Sequence, residues 1–124
     1  MNAIGRHLLL ELKNCDKEVL NNLEYLRKSL CETAEQIGAT VLHNIFHKFS
    51  PQGVSGVVVI AESHLCIHTW PEHGYAAVDI FTCGATINPS DAIDILVEKL
   101  NSGEHSYREI KRGVFRKEKA ALAK

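Results

Sequence analysis

A very apolar pentapeptide followed at once by a polar stretch constrains this chain more than any other feature. The pentapeptide is Gly56–Ile60, and its β-branched side chains are typical of a buried strand. The next twelve positions contain a serine, two glutamates, two histidines, a thiol and a tryptophan. This change predicts that the strand ends in a sharp corner at Glu62 and Ser63, where the serine hydroxyl can reach the preceding backbone carbonyl.

The stretch after this corner alternates in polarity with a period of two. A strand over 64–70 places successive side chains on opposite faces of a sheet. One face is then apolar and packed, and the other carries the groups capable of chemistry: His64, Cys66, His68 and Trp70.

Hydrophobic periodicity along the rest of the chain predicts the element order β-α-β-β-β-β-α-β. Strands are expected at 4–12, 40–49, 54–60, 64–70, 75–83 and 104–111, and helices at 16–38 and 88–100. One face of the second strand is expected to carry Val41, His43, Ile45, His47 and Phe49. The order indicates an α+β fold, a two-layer α/β sandwich in which an antiparallel sheet carries both helices on one face. From residue 112 we expect a solvated basic tail.

Length and composition indicate a single domain over 1–124. The formal net charge of −1 gives no electrostatic reason to expect nucleic acid or an anionic membrane as a partner. No apolar run approaches the roughly 18 residues of a membrane span, and the first residues lack the features of a secretory signal. The four cysteines show no CxxC spacing, so we expect free thiols and a cytoplasmic protein.

The sheet face opposite the helices has no cover within one small domain. It is expected to carry His7, His43 or His47, His68 and Cys83. An uncovered face of this kind usually meets a partner, so we expect a homodimer.

A metal site is the first chemical alternative for the stretch after the corner. His64, Cys66 and His68 project from one strand face, but side chains two residues apart on a strand lie about 7 Å from each other. They converge on a tetrahedral zinc only if the strand bends. The glutamate that zinc proteases place after the first histidine is also missing, because Leu65 stands there. We therefore expect no metal.

Other single residues allow both structural and chemical interpretations. Cys83, beside Gly84, is either a small buried hydrophobe or a thiol at a strand end that can transfer a proton. Glu72 is either a solvated turn residue or an acceptor for a sugar diol. Phe49 and Trp70 are either core residues or platforms for a ligand.

Four segments together carry a close resemblance to the prokaryotic S-adenosylmethionine decarboxylase proenzymes. They are GVSGVVVIAESHL at 53–65, IHTWPE at 67–72, GYAAVD at 74–79 and FTCG at 81–84. The resemblance is dense from about 47 to 84 and looser at Gly5-Arg6-His7 and in the helices, and little aligns beyond about 103.

The resemblance implies an enzyme that makes its own pyruvoyl cofactor. The hydroxyl of Ser63 would attack the carbonyl of Glu62 to give an ester. β-Elimination and hydrolysis would then leave a β chain of 1–62 and an α chain, 63–124, that begins with a pyruvoyl group. The family's processing roles fall on Ser55, which steadies the tetrahedral intermediate, and on His68, which accepts the proton during elimination.

The resemblance also implies a substrate and a reaction. The pyruvoyl carbonyl would form a Schiff base with S-adenosylmethionine, which would lose CO₂ and become the aminopropyl donor of spermidine and polyamine biosynthesis. Cys83 would return a proton to the substrate. Glu72 would bind the ribose and Phe49 would stack on adenine, with Trp70 as a further candidate. The half-size members of the family form homodimers.

Two other functions stay open at this point. Pyruvoyl relatives decarboxylate arginine or ornithine, although the adenosine-contacting pair Phe49 and Glu72 argues against that substrate choice. A non-catalytic ligand- or metal-binding dimer that never cleaves is the alternative from another class.

Overall fold

The computed structural model describes residues 3–84 and 86–115, which form one sheet with a layer of helices. The strands are β1 (Ala3–Lys13), β2 (Thr40–Lys48), β3 (Val54–Ala61), β4 (Ser63–Trp70), β5 (Tyr75–Cys83) and β6 (Glu104–Val114). The helices are α1 (Lys17–Leu20), α2 (Leu23–Gln36) and α3 (Ala92–Lys99), with short 3-10 turns at Pro71–His73 and Pro89–Asp91.

The sheet has the strand order β2-β3-β4-β5-β1-β6, and every neighbouring pair is antiparallel. β2 to β5 follow one another directly, because their links are short. β1 then lies between β5 and β6. The predicted α+β sandwich with an antiparallel sheet is confirmed.

The core lies between one face of the sheet and the helices. Alternate residues of the central strands are buried there together with the apolar stripes of α2 and α3. On β4, Leu65 and Ile67 are completely buried, whereas His68 and Trp70 on the other face are exposed. The predicted division of β4 into a packing face and a polar face is therefore confirmed.

The prediction of a single helix over 16–38 is wrong, because the structure has two helices, α1 and α2, in this segment. Asp16 caps α1 by accepting from the amides of Glu18 and Val19, and Asn22 caps α2 by accepting from the amide of Tyr25. Asn21 lies between the two helices, and its side-chain oxygen accepts from the amide of Gly53, 2.9 Å away. Asparagine side chains compete in this way with helical hydrogen bonds.

The prediction that Val41 shares a face with the other odd-numbered residues of the second strand is wrong. The pairing of β2 with β3 shifts register between Val41 and His43. The extra residue turns Val41 toward the helices, where it packs against the core, while Ile45 stays on the face opposite the helices.

The last strand is longer than expected. β6 continues to Val114, so Arg112 belongs to the strand rather than to a tail, and residues 116–124 lie outside the described part of the chain. β6 pairs with β1 along its whole length, and all of its residues are exposed. A two-pronged ion pair between Arg6 and Glu109, with N–O distances of 2.7 and 2.9 Å, ties the two strands together.

No helix or strand of residues 3–84 and 86–115 covers the face of the sheet opposite the helices, here called the open face. It carries polar and aromatic groups, and also exposed apolar side chains such as Ile45 and Val59. The residues expected on it lie there: His7, His43, His47, His68 and Cys83. None of the helices within the described residues is both long and apolar enough to cross a bilayer.

Candidate active site

The corner between β3 and β4 holds the first group of candidate residues. Ile60 pairs with Ser63, so Ala61 and Glu62 form a very short loop at the tip of this hairpin. The hydroxyl of Ser63 donates to the backbone carbonyl of its own neighbour, Glu62. The predicted proximity of this hydroxyl and this carbonyl is therefore confirmed.

Cys83 joins this corner from the end of β5. His64 pairs with Phe81 across β4 and β5, and this register places Cys83 beside the hairpin tip. Its Sγ lies 3.2 Å from Oγ of Ser63. Because Ser63 has one hydroxyl proton and donates it to Glu62, its oxygen is free to accept from the Cys83 thiol. We call Glu62, Ser63 and Cys83 the cleavage cluster.

Gly5 makes room for an aromatic ring next to the cleavage cluster. Gly5 pairs with Cys83 across β1 and β5. A Cβ added to Gly5 would lie 2.7 Å from two atoms of the Phe81 ring, closer than real contacts allow. The ring of Phe81 therefore lies over the backbone of Gly5 and forms an apolar flank to the Cys83 end of β5.

A second group of candidate residues lies at the other end of β4. Ser55 pairs with His68 across β3 and β4, and Oγ of Ser55 lies 2.8 Å from Nδ1 of His68. This hydrogen bond holds the imidazole ring in one orientation on the open face.

A cavity of about 330 Å³ opens beside this histidine. That volume is at the low end of the range for small-molecule sites, roughly 300–1,000 Å³. The side chains of Phe49 and Trp70, respectively 48% and 40% exposed, contribute aromatic surface to it. Glu72 adds a carboxylate from the 3-10 turn after β4. We call Phe49, Ser55, His68, Trp70 and Glu72 the binding cluster.

Two residues that the sequence analysis did not single out support the binding cluster. The ring of Tyr75 stacks on Trp70, with centroids 5.3 Å apart and planes 25° from parallel. The phenol of Tyr75 donates to the carboxylate of Glu11 on β1. Tyr75 and Glu11 are 64 positions apart, so only the strand order, which places β1 beside β5, brings them together.

The cleavage cluster and the binding cluster do not meet within one chain. Ser63 and His68 are five residues apart on the same extended strand, which corresponds to about 16 Å along the strand axis. One chain therefore presents two half-sites at opposite ends of β4. The binding cluster lies on the open face, and the cleavage cluster lies at the hairpin tip, where its Cys83 lies on the same face.

Cys66 lies between the two half-sites, and its thiol lacks the lowered pKa that is typical of a reactive cysteine. Burial raises the pKa of the Cys66 thiol, and the nearby carboxylate of Asp79 raises it further, so the thiol is protonated at neutral pH. The four cysteines are free thiols, as predicted. Within residues 3–84 and 86–115, no group of three or more His, Cys, Asp or Glu side chains has the arrangement of a metal site.

Comparison with known proteins identifies the family of this chain. A family model described as S-adenosylmethionine decarboxylase matches residues 6–113. The S-adenosylmethionine decarboxylase proenzyme of Clostridium kluyveri is 56% identical over 115 residues, which cover 93% of this chain and 91% of that protein. The proenzyme of Clostridium tetani is 54% identical over 123 residues, which cover 99% and 98%.

A solved structure gives the same result for the fold. The adenosylmethionine decarboxylase of Aquifex aeolicus superposes with a TM-score of 0.86 at 32% identity, covering 94% of this chain and 97% of that chain. The family match also extends through most of β6, beyond the limit near residue 103 that the sequence resemblance indicated. Because the family model spans most of the sequence, and relatives more than half identical align along almost their whole length, the chain belongs to the S-adenosylmethionine decarboxylase family.

Proposed function

We propose that this protein is a self-cleaving, pyruvoyl-dependent decarboxylase that converts S-adenosylmethionine to decarboxylated S-adenosylmethionine and CO₂. The observation that carries the proposal is the cleavage cluster: a serine hydroxyl held against the preceding carbonyl at an exposed hairpin tip, with a thiol 3.2 Å away. The product would serve as an aminopropyl donor for polyamine synthesis.

The cleavage cluster supplies the atoms for self-cleavage. Oγ of Ser63 attacks the carbonyl carbon of Glu62, the C–N bond breaks, and the peptide becomes an ester with a free amine on residue 63. Removal of the α-proton of residue 63 then expels the Glu62 carboxylate by β-elimination. The dehydroalanine that remains tautomerises to an imine and is hydrolysed, which releases ammonia and leaves a pyruvoyl group at the new N-terminus.

The base for this elimination comes, in our proposal, from a second copy of the chain. His68 is the imidazole with a fixed orientation on the open face, but it is about 16 Å along β4 from Ser63 of the same chain. A two-fold axis perpendicular to β4, level with its centre, makes the partner's β4 antiparallel and lays the partner's His68 over Ser63. Facing sheets pack about 10 Å apart, a gap that side chains from both sides fill.

The open face supports such a homodimer. Ile45 and Val59 are exposed on it, at 70% and 39%, on the neighbouring strands β2 and β3. Covering apolar side chains is the main favourable term in protein association. A face-to-face dimer would bury them and unite each cleavage cluster with the partner's binding cluster.

The residues of the united site fit the cofactor and the substrate. The pyruvoyl group supplies a carbonyl electrophile and an electron sink, which no protein side chain provides. In our proposal the Cys83 thiol returns a proton to the α-carbon of the substrate, and its contact with residue 63 supports this role. The Glu72 carboxylate accepts hydrogen bonds from the ribose hydroxyls, while Phe49 and Trp70 flank the adenine base.

Release of labelled CO₂ tests the function. Purified protein is incubated with carboxyl-labelled S-adenosylmethionine, arginine or ornithine, and the CO₂ is trapped. We expect release from S-adenosylmethionine and none from the two amino acids, with Ser63→Ala as the inactive control. Release of CO₂ from arginine or ornithine alone would contradict the substrate assignment. A wild-type protein that releases CO₂ from none of the three compounds would contradict the proposed decarboxylase activity.

A further inference from the structure

Three side chains form a continuous row on the open face, across three neighbouring strands. Glu11 on β1 accepts from the phenol of Tyr75 on β5, and the ring of Tyr75 stacks on Trp70 at the end of β4. Tyr75 and Trp70 are direct partners in the pairing of the two strands. The row therefore leads from β1, the strand next to the β6 edge of the sheet, to an aromatic residue that lines the cavity of the binding cluster.

Trp70 is only partly enclosed by its surroundings. Its side chain is 40% exposed, and a half-exposed indole exchanges rotamers unless a neighbour restrains it. The nearly parallel ring of Tyr75 covers one face of the indole. The hydrogen bond to Glu11 in turn fixes where the Tyr75 ring lies.

The Tyr75 phenol is a dependable donor. Burial, followed by the hydrogen bond to Glu11 and the negative charges of Glu11 and Asp79, raises the pKa of Tyr75 to about 12. The phenol therefore remains protonated throughout the physiological range, and the contact with Glu11 persists.

We infer that Glu11 and Tyr75 are positioning residues that set the plane of Trp70 and thereby shape the wall on which the flat base of the nucleoside substrate rests. The inference rests on the proposed function, since it assumes a substrate that carries adenine. It assigns a role in binding to two residues outside the cavity lining. Chemistry at Ser63 and Cys83, at the other end of β4, does not depend on them.

Fluorescence of Trp70 tests the positioning directly, because Trp70 is the chain's single tryptophan. The measurement is acrylamide quenching and time-resolved anisotropy of the processed enzyme without substrate. Tyr75→Phe keeps the ring and removes the donor, Glu11→Ala removes the acceptor, and Glu11→Gln keeps a neutral acceptor. We expect quenching to increase about twofold for the first two variants and less for Glu11→Gln. Tyr107→Phe, at an exposed position on β6, is the matched control.

Kinetics with S-adenosylmethionine then test the consequence for binding. In Tyr75→Phe and Glu11→Ala we expect KM to rise about fivefold, as for the loss of one aromatic contact, with kcat within about twofold and chain cleavage complete. A rapid-mixing titration of Trp70 emission with S-adenosylmethionine, recorded before the first turnover, gives the affinity separately from kcat. Trp70 dynamics unchanged in both variants, or altered dynamics with unchanged affinity, would overturn the positioning role. Failure of wild-type protein to decarboxylate would instead contradict the proposed function, while the substrate-free fluorescence stays interpretable.

Discussion

The hydroxyl of Ser55 lies 2.8 Å from Nδ1 of His68, and this pair is at the opposite end of β4 from Ser63. An imidazole with a fixed orientation is suited to accept a proton. Its position on the same extended strand keeps it from the serine of its own chain. The separation leads to predictions about which chain supplies which group.

Two inactive variants are expected to complement each other. In a Ser63→Ala and His68→Ala heterodimer, one site contains Ser63 of one chain and the partner's His68, both intact. Co-expression at equal levels forms such heterodimers in about half of the pairs if association is random. We therefore expect about half of the His68→Ala chains to be cleaved, as measured by denaturing mass spectrometry.

Each variant expressed alone controls this experiment. Ser63→Ala should stay as one uncleaved chain because no hydroxyl is left to attack. His68→Ala should stall at the ester, which hydroxylamine would split, whereas His105→Ala on the exposed strand β6 should process normally. If the mixture shows no more cleavage than the separate variants, Ser63 and His68 act within one chain. That result would contradict a site shared between the two chains of a homodimer.

The dimer itself is expected in sedimentation at micromolar concentration. Replacing the exposed apolar Ile45 with aspartate should weaken it, because a charge would be placed against the partner's sheet. Tyr107→Asp is the control, because Tyr107 is exposed and pairs with the buried Leu10, on the helix side of the sheet. A monomer with full activity would show that the two half-sites do not need each other.

Cys83→Ala is expected to permit chain cleavage and to impair clean decarboxylation. Without the thiol beside residue 63, the proton can be delivered to the cofactor carbon instead of the substrate carbon. The resulting transamination inactivates the enzyme, and mass spectrometry would find alanine in place of pyruvoyl at the start of the α chain. Cys31→Ala in α2 should behave as wild type. Normal turnover of Cys83→Ala would assign the proton donor elsewhere, with Cys66 as the first residue to test.

Alkaline conditions are expected to destabilise the fold through Tyr75. Its pKa is raised from 10.0 to about 12, first by burial and then by Glu11. The unfolded chain therefore loses its proton before the folded one does, and stability that is present below pH 10 is lost as the pH rises toward 12. Urea unfolding at several pH values should show this loss in wild type and a smaller one in Tyr75→Phe. Identical slopes for the two proteins would contradict the shifted pKa.

The sequence predicted the parts of the fold that depend on local periodicity. β4 alternates with a period of two because one face is buried, so its polar face was evident before its neighbours were known. A strand over 64–70 also separates Ser63 from His68 by about 16 Å, whereas the family resemblance by itself does not show that the two residues come from different chains.

Contacts between distant parts of the chain could not be predicted. The break between α1 and α2 depends on Asn21 bonding to Gly53, 32 positions away. The register shift in β2 depends on its pairing with β3. Glu11 and Tyr75 are 64 positions apart, so local periodicity does not predict the hydrogen bond between them.

The most direct test of the central claim is the mass of the purified wild-type chain under denaturing conditions. Cleavage at Glu62–Ser63 leaves 62 residues on each side of the bond. The account predicts two chains of this length, with an α chain that resists Edman sequencing because a pyruvoyl terminus has no free amine. Reduction with cyanoborohydride in the presence of substrate should add the mass of a trapped amine to that chain alone. An intact chain of 124 residues that still decarboxylates S-adenosylmethionine would contradict the pyruvoyl mechanism.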